Sequence, residues 1–362
     1  MTDAIFWTSA ALLAYAQAGY ALLVAALARL APRPHPAAVG APTRAALIIA
    51  AHDEEGVIAD RVANARALDW PREMLQVVVA CDGCTDATAE RARGAGADVV
   101  LELERGGKVR AQDAGVDATD AELLAFSDAN ARWAPDALTQ LAHAFAEPDV
   151  GYACGRVTFT NDAGTNQEGL YWRYELWVRA NESRFASVTA GNGAIYAVRR
   201  AAYLRVDPVM GHDLSLPFNL VKRGWRAVDV PDARATEKMV PSVEGEFARK
   251  RRMMGHTWPI VVRGGLLDPR GYPPRYALLI ASHRLLRYAT PFLHVALLAA
   301  SLRRPRALAA QLGVLAAAGV GGTRPGLIAR YYVLTTASIA LGLYDWARHG
   351  TEAGWQPVED AR

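Results

Sequence analysis

Hydrophobic and polar positions divide the chain into three stretches of different character. The first, Ile5 to Leu30, is apolar and carries no charge before Arg29, long enough as a helix to span a bilayer. The second, Thr43 to about Ala153, alternates short apolar runs (LIIA, VVVA, LLAF) with more polar, helix-like segments. The third, Leu285 to Trp346, is apolar again. It is broken at Arg303-Arg304-Pro305-Arg306 and at Gly321-Gly322-Thr323-Arg324-Pro325-Gly326. That leaves three candidate spans. The first two are short for unassisted crossing, and the last, Leu327 to Asp345, carries Arg330 where it can snorkel to an interface.

In the middle stretch the pattern predicts strands at Ala45–Ala51, Leu75–Ala80, Val99–Leu103 and Glu122–Phe126. Helices are expected at Glu54–Ala67, at Asp86–Gly94, from Lys108 and after Pro135. Such βαβ alternation with short loops argues for an α/β fold with a parallel, doubly wound sheet. After Gly155 the pattern changes. A Trp/Tyr-rich helical segment (EGLYWRYELWVRANES) leads to the apolar run GAIYAV, then to a helix carrying Asp213 and a strand pair around Ala227–Glu237. Pro32–Pro42 reads as a Pro/Ala-rich linker and Thr160–Thr165 as a polar loop.

Composition sharpens the membrane reading. Of 362 residues 52% are hydrophobic, and mean hydropathy is +0.03, high for a purely soluble enzyme. The start, MTDAIFW, lacks the basic residues of a signal peptide, so a retained anchor is expected. Arg29 and Arg33 follow the first span, which places the next domain on the cytoplasmic side of the inner membrane in a multi-pass protein. Counting one plus three spans would leave Arg303, Arg304 and Arg306 outside, against the same rule; an interfacial or re-entrant hairpin between Leu285 and Val320 removes the conflict. The net charge of +3 hides a basic bias from Arg249 to Arg306, suited to anionic membrane lipid. No nucleic-acid motif accompanies it, so a nucleic-acid partner is not expected. Cys81 and Cys84 have CxxC spacing, but no second CxxC or His pair completes a zinc site. All three thiols are expected to be reduced in a cytoplasmic domain.

Four acidic motifs stand in order: Asp53-Glu54-Glu55 in AHDEE, Asp82 in CDGCTD, Asp128 in SDAN and Asp213 in GHDLSLP. The first three follow apolar runs, so their carboxylates meet at strand carboxyl ends, where open α/β sheets bind ligands. Carboxylates gathered in a crevice call for a positive occupant, and a divalent metal holding a diphosphate meets that need.

These segments together resemble family 2 glycosyltransferases, membrane-bound enzymes of the GT-A fold that include cellulose, hyaluronan and poly-N-acetylglucosamine synthases. The resemblance covers nearly the whole chain, through the N-terminal anchor, AHDEE, CDGCTD, GGKVRAQDAG, SDANARWAPDAL, YWRYE, GNGAIYAVRR and HDLSLPFNLVKRGWRAV. It implies a nucleotide-sugar donor, with uridine favoured, a lipid-linked or saccharide acceptor, and Mg²⁺ or Mn²⁺ as cofactor. It implies Glu54 at the base and ribose, Asp82 at the uracil N–H, Lys108 at the nucleotide, and Asp128 with Asn130 at the metal. Asp213 would be the base that takes the acceptor proton, and Arg249 and Arg252 would face the leaving diphosphate. The sequence departs from the family pattern at Cys81, Asp53, Asp113 and Asn130, where the family carries Asp, Asn, Asn and Asp, and RKRRMM stands where the synthases carry QxxRW. Those departures motivate the alternative of a catalytically weak scaffold subunit.

Other residues keep two readings. Asp86 fits a helix cap or a ligand, Asp53 and Glu55 solvated first-turn acids or site groups, and Gly191 and Gly193 tight turns or site walls. Glu182 and Glu237 fit structural acceptors as well as site groups, and His212 a core histidine or a metal ligand. The expected organisation is an anchor and linker over 1–40, a catalytic domain over 41–260, and interfacial and transmembrane helices over 261–362.

Overall fold

The computed structural model describes residues 2–33, 43–160, 167–238, 243–320 and 323–353. The linker Pro32–Pro42 and the polar loop Thr160–Thr165 fall almost wholly outside them. In chain order the elements are α1 (Thr2–Ala14), a π-helical turn (Tyr15–Gly19), α2 (Tyr20–Leu30), β1 (Ala45–Ala51), α3 (Ile58–Arg66), β2 (Leu75–Asp82), α4 (Thr88–Gly94), β3 (Val99–Leu103) and α5 (Lys108–Asp117). Next come β4 (Leu123–Asp128), β5 (Arg132–Trp133), α6 (Ala137–Ala144), β6 (Val150–Thr160), α7 (Gln167–Phe185), β7 (Tyr196–Arg199), α8 (His212–Lys222), β8 (Arg226–Lys238) and α9 (Val243–Val262). The chain closes with α10 (Pro274–Leu279), a second π-helical turn (Ile280–Leu285), α11 (Leu286–Ser301), α12 (Pro305–Val320) and α13 (Arg324–His349).

The eight strands form one sheet in the order β3-β2-β1-β4-β7-β6-β8-β5. β3, β2, β1 and β4 are parallel, β7 runs antiparallel between β4 and β6, and β6 pairs parallel with β8. The sheet is therefore mixed, parallel in the half that the apolar runs foretold. Those runs look continuous because both faces are covered, yet the side-chain period of two still sorts them. Ala46, Ile48, Val78, Leu124 and Phe126 join the core that contains α2, α7 and α8. Leu47, Ile49, Val77, Val79 and Ala125 join the opposite core, under α3 and α6.

Two expectations are corrected. The helix foreseen at Glu54–Ala67 starts at Ile58, since Glu54–Gly56 form the turn that leaves β1. The strand pair around Ala227–Glu237 is one strand, β8, whose pairing with β6 skips from Asp229 to Arg234. Pro231 lies in the skipped stretch and has no N–H for the ladder, so the chain bulges and continues in the same direction.

The terminal helices bundle beside the sheet. Asp3 pairs with Arg304 at one end. Tyr332 of α13 meets Gln17 and His294 midway, and Arg251 of α9 holds Asp345 at the other end. Thus α13 finishes against α9, at the same end of the bundle as Leu30. Among the described residues two helices are long and apolar enough to cross a membrane, Thr2–Leu30 and Arg324–His349; α12 is apolar but shorter. α2 also buries Tyr20, Val24 and Ala28, one stripe at helical spacing, against the domain. There the Tyr20 hydroxyl donates to Glu182 at 2.5 Å, and the same carboxylate takes His283 Nδ1 at 2.6 Å and the Thr189 N–H at 3.1 Å.

Candidate active site

The carboxyl ends of β1, β2 and β4 open onto one crevice, and the acids there divide into two sets by what they bind. The first set ties turns together. Asp53 Oδ1 accepts the Thr85 N–H at 2.7 Å. Asp86 accepts the N–H groups of Glu55 and Thr88, both at 3.0 Å. Glu55 accepts the Ala87 N–H at 3.2 Å and lies 3.6 Å from Arg91. For Asp86 the capping role is thus realised, and Asp53 and Glu55 lock the β1 turn onto the β2 turn. Glu54 is buried within this turn, its N–H donating to Thr88 Oγ1 at 2.8 Å. Asp82 accepts the N–H of Gly106 at 2.6 Å and of Gly107 at 2.9 Å, which fixes the loop leading into α5. Gly107 has φ +94, a conformation that only glycine adopts without strain.

The second set faces the crevice. Lys108 is the first residue of α5, where the helix dipole disfavours a cation. Asp128, closing β4, compensates through an ion pair with it. Beside this pair lies Gly193, where a Cβ would come 3.1 Å from Lys108 Nζ and 3.6 Å from Asp128 Oδ2. Asn192 fixes that loop by accepting the N–H groups of Ala194 and Ile195 at 3.1 and 2.8 Å and donating to the Gly155 carbonyl at 2.8 Å. A Cβ on Gly191 would fall 2.0 Å from the Tyr152 hydroxyl, and the Gly191 N–H donates to the Asp213 carbonyl at 2.7 Å. Gly191 is therefore required by close approach, whereas a Cβ at Gly193 would only press on the end of the Lys108 side chain.

Asp213 stands in the first turn of α8. Burial pushes its carboxyl above the usual carboxylate range, while Lys108 draws it back. Glu237, near the end of β8, is pushed up to about 7 by burial and by the charge of Asp128, against the pull of Lys108 and Arg249. Burial and Lys108 push His212 down to about 3, and its Nδ1 meets the Tyr196 hydroxyl at 2.9 Å. It is a neutral core histidine. Under β4, Arg61 is buried across Trp133 with Nε donating to Ser127 at 3.1 Å, and burial lowers it to about 9 against the pull of Asp128.

The structure therefore gathers Lys108, Asp128 and Asp213, and brings Arg249 within electrostatic reach through Glu237. Asn130 lies two residues past Asp128 in the turn after β4. Arg252 lines a neighbouring groove between α9 and the end of α13, with His256 and Trp346. Sequence reasoning left Glu237 undecided and passed over Arg61. The one signal for Glu237 was an acid closing a strand-like run, the pattern of Asp82 and Asp128.

Known proteins similar to this chain are glycosyltransferases. An N-acetylglucosaminyltransferase of Rhizobium meliloti (strain 1021) is 27% identical over 222 residues, 55% of this chain and 52% of that protein. One from Sinorhizobium fredii (strain NBRC 101917 / NGR234) is 30% identical over 161 residues, 40% of this chain and 39% of that protein. The chain thus spans about half the length, or less, of these curated relatives. Among solved structures, the mannosyltransferase PcManGT from Pyrobaculum calidifontis, in complex with GDP-Man and Mn²⁺, superposes with a TM-score of 0.75. It has 22% sequence identity, and the match covers 96% of this chain and 100% of that one, which establishes the GT-A fold. Residues 42–255 match the family described as Glycosyltransferase like family 2. With more than half of the chain inside that match, the protein belongs to glycosyltransferase family 2.

Proposed function

We propose that this chain is a membrane-anchored, inverting, metal-dependent glycosyltransferase that moves a sugar from a UDP-sugar to a lipid-linked or saccharide acceptor. The observation that carries this reading is the convergence of Lys108, Asp128, Asp213 and Glu237 beside the Gly193 backbone. Glu54 and Asp82 belong to the nucleotide end of the crevice, Asp82 by holding the loop that presents Lys108 and by offering a carboxylate to a ring imide once that loop yields. Lys108 is placed to exchange part of its contact with Asp128 for a diphosphate oxygen. Asp213 takes the proton from the acceptor hydroxyl as that oxygen bonds to the anomeric carbon. The bond to the diphosphate breaks on the opposite face, which inverts the configuration. Arg249 faces the charge left on the diphosphate, with Arg252 behind it.

The donor set suits a hard cation such as Mg²⁺ or Mn²⁺. Lys108 attracts both Asp128 and Glu237, and Glu237 is pushed up by burial and by the charge of Asp128. Asp128, Glu237 and the Asn130 amide oxygen would hold such a cation. When bound it would supply charge stabilisation for the departing diphosphate.

Two chemistries bear on the donor: N-acetylglucosaminyl transfer in the sequence relatives and GDP-mannose in the structural neighbour. The sequence relatives favour an N-acetylglucosaminyl donor. For the membrane, Trp7, Leu22, Leu30, Phe292, Val295, Leu312, Leu315 and Ile328 are exposed on the terminal helices, the kind of apolar surface that lipid covers. That surface supports a division into anchor and linker over 1–40, catalytic domain over 41–260 and C-terminal helices over 261–362. Full-length protein in detergent, offered a panel of nucleotide-sugars with and without Mn²⁺, should release UDP from a UDP-sugar only with metal. Preference for GDP-mannose would overturn the uridine assignment. Nucleotide binding without any turnover would favour the scaffold role.

A further inference from the structure

The CxxC pair lacks a second ligand pair in the sequence, but the fold supplies one. β1 lies parallel to β2 with Ala51 opposite Cys81, so the turns leaving the two strands face each other. His52 and Asp53 come from one turn and Cys84 from the other, and their ligating atoms all lie within 4.8 Å of one another. The Cys84 thiol donates to the Ala51 carbonyl oxygen at 3.5 Å, and Cys81 is buried in the core. Both sulfurs are free thiols.

The histidine is already oriented as a ligand. His52 Nδ1 lies 2.7 Å from the Asp82 carbonyl oxygen, which places its proton there and makes Nε2 the acceptor nitrogen of the ring. Nε2 is 3.6 Å from Asp53 Oδ2. Asp53 itself has φ +51, the sole non-glycine residue with positive φ among the described residues. Such a conformation costs on the order of 1 kcal/mol or more and tends to persist at functional sites. A positive group already occupies the focus: Arg105 Nη1 sits 2.5 Å from His52 Nε2.

We propose that His52, Asp53 and Cys84 bind a borderline-soft divalent cation of the zinc type, with the fourth position left to solvent, at a site separate from Asp128. Imidazole and thiolate donors select such a cation over Mg²⁺ or Mn²⁺. Zn–N and Zn–S bonds of about 2.0 and 2.3 Å require donors about 3–4 Å apart, so closure needs shifts of about 1 Å. The cation replaces Arg105 at Nε2, and the Cys84 thiol releases its proton to solvent. Because Arg105 adjoins Gly106 and Gly107, whose N–H groups bind Asp82, occupancy acts on the loop that presents Lys108.

The test does not depend on the proposed reaction, because its readout is a spectrum. Full-length protein in detergent, reduced with a phosphine, is titrated with Co²⁺ alone. A single equivalent should give a sulfur-to-cobalt charge-transfer band that Zn²⁺ abolishes. Cys84→Ser should lose the band, His52→Gln should weaken Co²⁺ binding at least ~10-fold, and Asp128→Asn should keep both band and affinity. Circular dichroism checks that each variant is folded. Should Cys84→Ser not fold, Asp53→Asn takes its place and must weaken binding while the band remains. Absence of the band in the wild type, its survival in folded Cys84→Ser, or its loss in Asp128→Asn would each overturn the proposal, as would unchanged affinity in Asp53→Asn.

Discussion

Single side chains in the crevice act by setting charges against one another. Burial makes Asp213 a stronger base than a solvated carboxylate, and Lys108 favours its ionised form. Asp213→Asn is expected to lower transfer at least ~10²-fold while calorimetry finds UDP affinity nearly unchanged; near-normal turnover would exclude it as the base. For the metal, Asp128→Ala should abolish Mn²⁺-dependent UDP binding, whereas Asn130→Asp should keep or tighten it, since an added carboxylate strengthens a hard-cation site. Glu237 links the crevice to pH. Its folded value of about 7 exceeds the ~4.3 of an unfolded glutamate, so between those values the folded chain retains a proton that the unfolded chain has lost. Its contribution to stability is therefore greatest at low pH and falls as pH rises through that window. In metal-free buffer the melting temperature of Glu237→Gln should gain on that of the wild type from about pH 5 to about pH 7. A constant difference would show that Glu237 does not titrate there.

Elements explain how much of this was readable beforehand. β1, β2 and β4 were legible because a strand covered on both faces must be apolar throughout, and their terminal acids followed directly. The antiparallel half was harder. In β8 the Pro231 bulge hid the continuity of one strand, and β6 carries Gly151, Gly155 and Arg156, which blur a strand pattern. Asp213 and Lys108 were legible from local motifs. The partners of Asp82 and the approach of Glu237 to Asp128 were not, because they join segments far apart in the chain. The same applies to α7, whose Glu182 gathers Tyr20, Thr189 and His283 from three other segments. Glu182→Ala should cost about 3–5 kcal/mol, seen as a lower unfolding temperature in detergent. A loss within experimental error would mean that the terminal helices are held by apolar packing alone.

Seen whole, the protein is a sheet domain clasped by helices from both ends of the chain. If the domain is cytoplasmic, a reporter inserted after Pro42 and one placed after Gly350 should read the same side, since α13 ends on α9 through Arg251 and Asp345. Because Asp3 pairs with Arg304, residues near both should then be reached by impermeant reagents from the other side, a different outcome from the interfacial hairpin that the positive-inside rule suggests. Opposite readings at Pro42 and Gly350 would refute the arrangement. The return of α13 also matters for anyone handling this protein. Ala353 lies so close to Gly107 that a Cβ there would fall 2.0 Å from the Ala353 carbonyl oxygen. An affinity tag or fluorescent label joined just past that residue would begin beside the Gly107 loop that leads into α5, whereas one joined ahead of Asp3 would hang at the far end of the bundle. The choice of handle is thus a choice between obstructing the enzyme and leaving it alone.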